Sequence, residues 1–224
     1  MRNFLWRFDH FWSQDKGLSS LLVILCLILF VFHPLSAVSK TGEILINVFF
    51  TLLLISGVVT VMHNRTWIAT VVVFAVLVFF FSWFDLFSAN RLIQVTNSVL
   101  SIVFYALLGG MVLNNVFKAG PVTAHRIQGA IVVYLLTGLV MAFAYQAIYY
   151  ARPDTAFGIA ARAKSHFSPE SEFLYFSFVT LTTVGYGDIT PLHPLAQSLV
   201  MVEGLIGQLY PAILIARLIG LTLK

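Results

Sequence analysis

Six apolar runs follow one another along the chain, over residues 18–35, 44–62, 67–87, 92–117, 126–150 and 193–221. Each is close to or beyond the roughly 20 residues that an α-helix needs to cross a bilayer. In hydrocarbon a backbone has no outside hydrogen-bond partner, so such a run is viable only as a helix. The expected fold is therefore an all-α membrane protein with six transmembrane helices. Composition agrees: 59% of the residues are apolar and 10% are charged, against about 25% charged in a soluble domain. A water-soluble monomer and a disordered chain are both excluded. Little sequence is left for a soluble domain, so no C-terminal regulatory domain is expected.

The segments between the runs give topology. Phe4, Leu5, Phe8, Phe11 and Trp12 recur at helical spacing among Arg2, Arg7 and Lys16. This predicts an amphipathic helix over 1–17 lying in the lipid interface rather than a cleaved signal peptide. Breaks at His33-Pro34, at His63-Asn64-Arg65 and over 118–121 end the first, second and fourth runs. The last of these separates a four-helix domain, 18–118, from a second domain, 124–224. With the N-terminus inside, the inner face holds Arg2, Arg7, Lys16, Arg65, Lys118, Arg126, Arg217 and Lys224. The outer face holds Lys40, Arg91, Arg152, Arg162 and Lys164. The bias predicts both termini in the cytoplasm. The net charge of +4 is thus explained by topology, and no nucleic-acid partner is expected. Cys26, the single cysteine, is read as a small packing residue.

The most specific signal stands between the fifth and sixth runs, where residues 180–188 read TLTTVGYGD. It resembles the selectivity filter of potassium channels, whose TVGYG strands coordinate K⁺ through backbone carbonyls. Selectivity for K⁺ is implied by that resemblance. So are the ion ligands: the carbonyls of Thr183, Val184, Gly185 and Tyr186, with the Thr183 hydroxyl, while Gly187 completes the filter over 183–187. The physical reason lies in the glycines. Consecutive carbonyls normally alternate in direction, so aiming them to one side needs alternating backbone handedness. Gly185 and Gly187 supply positive φ without steric cost. Val184 and Tyr186 are then expected to turn their side chains away from the ion and pack on supporting helices.

The surrounding residues fit the same layout. Ser168 is an expected N-cap, Pro169 an N1 residue, and Glu170 and Glu172 occupy the favourable first turn. The pore helix over 169–182 is too short to cross a membrane, so it must be re-entrant and buried in protein or lining water. A turret, 151–168, precedes it; the outer helix is 126–150 and the inner helix 193–221. Where the family usually has two tryptophans, this chain has Tyr175-Phe176, and Tyr175 is placed to hydrogen-bond Asp188 behind the filter. Thr182 joins them as filter support. Val179 stands where some relatives carry an acid.

Along the inner helix, Gly207 falls 19 residues after Asp188, the family's usual spacing to a hinge glycine. Gly204 and Gly207 read equally as sites of close helix packing. Gln208, Pro211 and Ile215 share a helical face that is expected to line the cavity and gate. Pro211 removes one backbone hydrogen bond and is expected to kink the helix. Glu203 is the one acid within this run, and an intramembrane carboxylate is a functional candidate by default. Two readings stand: a protonated or hydrogen-bonded strut behind the pore helix, and a pH-sensitive gating group.

Four helices before a pore module resemble the six-helix voltage-gated layout, in a prokaryotic-type channel of the plasma (inner) membrane. The resemblance implies a homotetramer around a central pore, since one loop supplies only one strand of a ring. K⁺ ions and membrane lipid are the expected partners, and no cofactor is expected beyond the permeant ion. The histidines are dispersed, no nucleophile elbow or phosphate loop occurs, and an enzyme is not expected. A nonselective cation channel is an alternative, opposed by the intact Val-Gly-Tyr-Gly. The ion-translocating subunit of a K⁺ transporter is another, opposed by the single copy of the module. The fourth run has Arg91 and Lys118 only at its ends, and between them a neutral stripe of Asn90, Gln94, Asn97 and Ser101. That stripe is read as interhelical hydrogen-bonding. Without charges at every third position there is little for the membrane field to act on. Recorded currents are expected to lack steep activation by voltage; a conductance rising e-fold within about 10 mV contradicts this reading.

Overall fold

The computed structural model describes residues 14–32, 40–61, 68–87, 90–117, 123–153, 155–159 and 168–222. The interfacial helix expected over 1–17 lies almost wholly outside these residues. So do the breaks at 33–34, 63–65 and 118–121 and the turret residues Arg162 and Lys164. Helix α1 (Gln14–Leu27) continues through a π-helical turn, Ile28–Phe32. Then come α2 (Lys40–Val61), α3 (Ile68–Asp85), α4 (Arg91–Phe117) and α5 (Ala124–Ala151). The remaining elements are β1 (Phe157–Ile159), α6 (Pro169–Leu181), β2 (Ile189–Pro191) and α7 (Pro194–Thr222).

Helices α3, α4, α5 and the Pro194–Arg217 part of α7 are long and apolar enough to cross a membrane. The expectation of six such helices is met by four among the described residues; Gly17–Val31 and Ile44–Thr60 are apolar but shorter. The buried positions recur at helical period. Leu18, Leu21, Leu25 and Ile28 form one face of α1, and Val71, Ala75 and Val78 one face of α3. Both meet a core with Phe104, Tyr105 and Leu108 of α4 and Leu136 and Leu139 of α5. Helices α4 and α5 pack along most of their length, with the Tyr105 ring stacked on Phe143 at 5.6 Å. The opposite face of α3 leaves Val73, Val76, Phe80 and Phe84 exposed. An apolar face on a helix of this length suits lipid tails, so this is an integral membrane protein.

Polar side chains tie the bundle together. Ser20 and Ser56 hydroxyls lie 2.9 Å apart, Ser82 donates to Asn47 Oδ1 at 2.6 Å, and Trp83 Nε1 donates to Thr51 Oγ1 at 3.2 Å. Each such bond contributes about 0.6 kcal/mol in a membrane bundle. The neutral stripe of α4 only partly makes the expected bonding between helices. Asn90 caps the helix, its Oδ1 accepting from Leu92 N at 3.0 Å, and Asn97 meets Asp85 of α3. Gln94 and Ser101 face a cavity. At the other end of α4, Arg217 of α7 donates to the Phe117 carbonyl at 2.6 Å and sits 4.9 Å from that ring's centre. A cation on the last carbonyls of a helix complements its negative end.

The purely helical expectation needs one correction. Strands β1 and β2 pair antiparallel, Phe157 opposite Pro191 and Ile159 opposite Ile189. They join the segment after α5 to the segment after α6. Phe157 and Ile189 drop from this pair into a second core with Tyr145, Phe173, Phe176 and Ala196. Three-residue strands are too short to print a period on the sequence, and it is this burial that holds them.

Helix α7 touches the rest of the chain along a narrow line, where Ala196 and Glu203 are fully buried. Gly207 makes its closest approach: a Cβ there would stand 1.9 Å from the Leu181 carbonyl oxygen. Replacing Gly207 by Ala should separate α6 from α7 and lower the stability of the detergent-solubilised protein by about 1–3 kcal/mol. The check is its thermal unfolding midpoint; an unchanged midpoint contradicts the packing assignment.

Candidate functional site

The site is built on α6. Ser168, with φ −69° and ψ 152°, accepts from Ser171 N as N-cap, and Pro169 opens the helix. Proline suits that position because the first amides of a helix lack intrahelical partners. Tyr150 donates from its hydroxyl to the Glu170 carboxylate, which fixes the start of α6 against the end of α5. The helix has 13 residues, hence a length of about 20 Å. Phe173, Phe176 and Ser177 bury its inner face.

The C-terminal end of α6 determines the path of the next five residues. Thr182 N donates to Phe178 O at 3.0 Å and Thr183 N to Thr180 O at 2.9 Å. Val184 N and Gly185 N then both donate to Val179 O, at 2.9 and 3.3 Å. Thr182 Oγ1 donates to Phe178 O at 2.6 Å. The amides of this segment are consumed by the helix behind it. Among the described residues no donor reaches the carbonyls of Thr183, Val184, Gly185 or Tyr186.

Backbone handedness alternates along the same stretch. Thr183 has φ 60°, Gly185 φ 55° and Gly187 φ 78°, and these are the only positive φ values among the described residues. Alternate residues in the left-handed region allow successive carbonyls to share one side. The two glycines do this without steric cost; Thr183 does not, and a β-branched residue there costs roughly 1–2 kcal/mol. Sequence reasoning placed Thr183 in the segment but missed its positive φ, because nothing but glycine announces that conformation.

Val184 and Tyr186 were expected against supporting helices, but within one chain they are 52% and 71% exposed. Tyr175 and Asp188 lie near each other, and Asp188 Oδ1 accepts from Ile189 N at 3.1 Å. Gln208 and Ile215 are exposed and Pro211 is half-buried, on the side of α7 away from Glu203. Gly204 has open space where a Cβ would stand. Pro211 lies inside an uninterrupted α7.

Glu203 is completely buried and joins three helices. Tyr145 of α5 donates from its hydroxyl to Glu203 Oε2 at 2.5 Å. Ser177 Oγ of α6 lies 2.5 Å from Glu203 Oε1 and 2.7 Å from the Gly138 carbonyl of α5. Ser177 has one hydroxyl hydrogen and two neighbouring acceptors. If it donates to Gly138, the contact with Glu203 Oε1 needs a hydrogen from the carboxyl itself. If instead Ser177 donates to Glu203 Oε1, the Gly138 carbonyl keeps its partner within α5 and the carboxylate needs no proton. Close by, Tyr134 donates to Leu181 O at 3.2 Å and stacks on Tyr210, whose hydroxyl donates to Ala130 O at 2.9 Å. Sequence reading singled out Glu203 but none of its partners. Their pairing crosses 58 and 26 residues, and no local spacing encodes that. Among the described residues no three His, Cys, Asp or Glu side chains converge.

Residues 129–224, from the first turns of α5 through α7, match the family described as ion channel. The Protein LctB of Bacillus caldotenax is 32% identical over 71 residues, 32% of this chain, and the match spans 48% of that relative's length. Residues 129–224 are accordingly similar to an ion-channel domain, and the chain spans about half the length of the curated relative it matches.

Glu203→Gln retains one donor toward Ser177 and one acceptor for Tyr145. It should keep unfolding stability within about 1 kcal/mol and leave the pH dependence of ion flux unchanged, whereas Glu203→Ala should cost about 2–4 kcal/mol. Flux measured over pH in the Gln variant decides between strut and gating acid; a lost pH response there identifies the latter.

Proposed function

We propose that this chain is the pore-forming subunit of a K⁺-selective channel, with four copies arranged around one axis. The observation that carries this reading is the run of unclaimed carbonyls at 183–186, with its alternating φ and with every amide before Tyr186 tied back to α6. A cation entering a narrow pore must exchange water oxygens for others of similar strength. Carbonyl dipoles offer that exchange without placing a fixed charge that would trap the ion. The Thr183 hydroxyl adds a further oxygen at the inner end. The C-terminal end of α6 adds a partial negative charge where the ion would sit.

One chain supplies one strand and so one oxygen per level. Closing a ring takes several copies, and closed cyclic symmetry is the usual solution. The exposed Val184 and Tyr186, and the long exposed face of α7 with Leu205, Leu209 and Ile213, are surfaces that neighbouring copies would cover. In that assembly Tyr175, Thr182 and Asp188 support the filter. Gly204, Gln208, Pro211 and Ile215 border the inner cavity and gate, with Gly207 seated against α6 as their fulcrum. The four-helix domain surrounds the pore and is not a voltage sensor. The channel sits in the plasma membrane with both termini inside, passing K⁺ down its gradient.

Protein reconstituted into K⁺-loaded vesicles should discharge K⁺ and be blocked by barium. The reversal potential in mixed K⁺ and Na⁺ should follow K⁺. Gly185→Ala, which forces a side chain into the left-handed region at roughly 1–2 kcal/mol, should abolish flux or the preference for K⁺. Equal permeability of the unmodified protein to Na⁺ and K⁺ overturns the selectivity assignment.

A further inference from the structure

A cavity of about 330 Å³ lies between the four-helix bundle, α5 and the first turn of α6. Pockets that hold small molecules begin at about this size, and they combine apolar walls with a few convergent polar groups. The polar lining includes hydroxyls and amides such as Gln94, Ser101 and Gln146, and at one end a group of acceptors. Asp85 ends α3, Asn97 stands on α4, and Glu170 is the second residue of α6; all three line the cavity. The Asn97 amide engages Asp85, and the Glu170 carboxylate lies close enough for its charge to act on Asp85. With these contacts made, Asp85 Oδ1 and Asn97 Oδ1 remain buried with no hydrogen-bond partner. Among the described residues no Lys, Arg or His lines the cavity.

Buried acceptors without donors and carboxylates without a counter-cation are both costly. A bound donor carrying positive charge relieves the two costs together. The rest of the wall narrows the choice of cation. Phe50, Phe143 and Tyr105 line the cavity, with Phe50 edge-on to Phe143 at 5.9 Å and Tyr105 stacked on Phe143 at 5.6 Å. Among the described residues no three His, Cys, Asp or Glu side chains converge as they would around a metal ion. Aromatic faces beside a carboxylate suit an organic ammonium, through apolar contact and cation–π attraction.

We propose that this cavity is a binding site for a small protonated amine bearing an aromatic or aliphatic group. Asp85 and Glu170 neutralise the ammonium, Asn97 Oδ1 accepts one of its hydrogens, and the apolar group lies toward Phe50 and Phe143. Because Glu170 belongs to the first turn of α6, an occupant touches the bundle and the pore helix at once. The four-helix domain, which lacks gating charges, thereby gains a chemical input.

The test uses the full chain in lipid nanodiscs, titrated calorimetrically with 2-phenylethylammonium chloride and, in parallel, neutral 2-phenylethanol; empty nanodiscs correct for partition into lipid. The amine should bind saturably, one per chain, and the alcohol at least about tenfold more weakly, as expected when charge-assisted hydrogen bonds are lost. Asp85→Asn should weaken the amine by about tenfold or more, and Asn97→Asp, which adds a charge at the same place, should tighten it. Because the second variant moves affinity in the opposite direction, a folding defect cannot imitate the pair. Absence of saturable binding, equal affinity for amine and alcohol, or an amine affinity unchanged in both variants overturns the proposal. The last result would place the amine elsewhere, as in the pore. Binding is read without an ion gradient, so the outcome stands apart from that of the K⁺ flux experiment.

Discussion

The carbonyl of Val179 receives two amide hydrogens, from Val184 and Gly185, and this pair of hydrogen bonds to one oxygen turns the chain after α6. A helix ends with carbonyls that have no partners within it. Here the next segment supplies the donors, folding back so that its own amides satisfy the helix. The carbonyls of that segment are left over as a consequence. The row of unclaimed carbonyls is thus the complement of the feature that caps the helix. Positive φ at Thr183, Gly185 and Gly187 is the conformational condition for both.

Behind this loop, α6 is held from three directions. Glu203 reaches it from α7 through Ser177, Tyr145 meets the same carboxyl from α5, and Tyr134 holds the Leu181 carbonyl. The aromatic cluster of Phe157, Phe173 and Phe176, with ring centres 4.8 and 5.8 Å from Phe157, fills the space on the remaining side. Each link is modest alone. Together they leave a short helix, exposed at its far end, with few ways to shift. The filter we propose would depend on such a support, because a displacement of its base is carried directly into the carbonyls.

Much of this was legible in the sequence, for reasons that differ by residue. Gly185 and Gly187 declare a backbone conformation because no other residue adopts it freely, and Ser168-Pro169 declare a helix start because capping is local chemistry. Helices α3, α4, α5 and α7 follow from the length of their apolar runs. The strands 157–159 and 189–191 were not legible, since their pairing joins segments on either side of α6. The partners of Glu203 were hidden for the same reason. The polar stripe of α4 was visible, but its role was not. Hydrogen-bonding residues at helical spacing look alike whether they face another helix or a cavity, and only the position of Asp85 distinguishes the two.

Gly207 leaves one further mark on the molecule. With the Leu181 carbonyl seated where a side chain would otherwise be, α7 is keyed to α6 like a slotted shaft. Turning the helix about its own long axis would bring Ile206 or Gln208 into that slot, and neither fits. Rotation is thereby locked out as a low-energy motion, and what is left to the inner helix is to tilt or to slide about a fulcrum at residue 207.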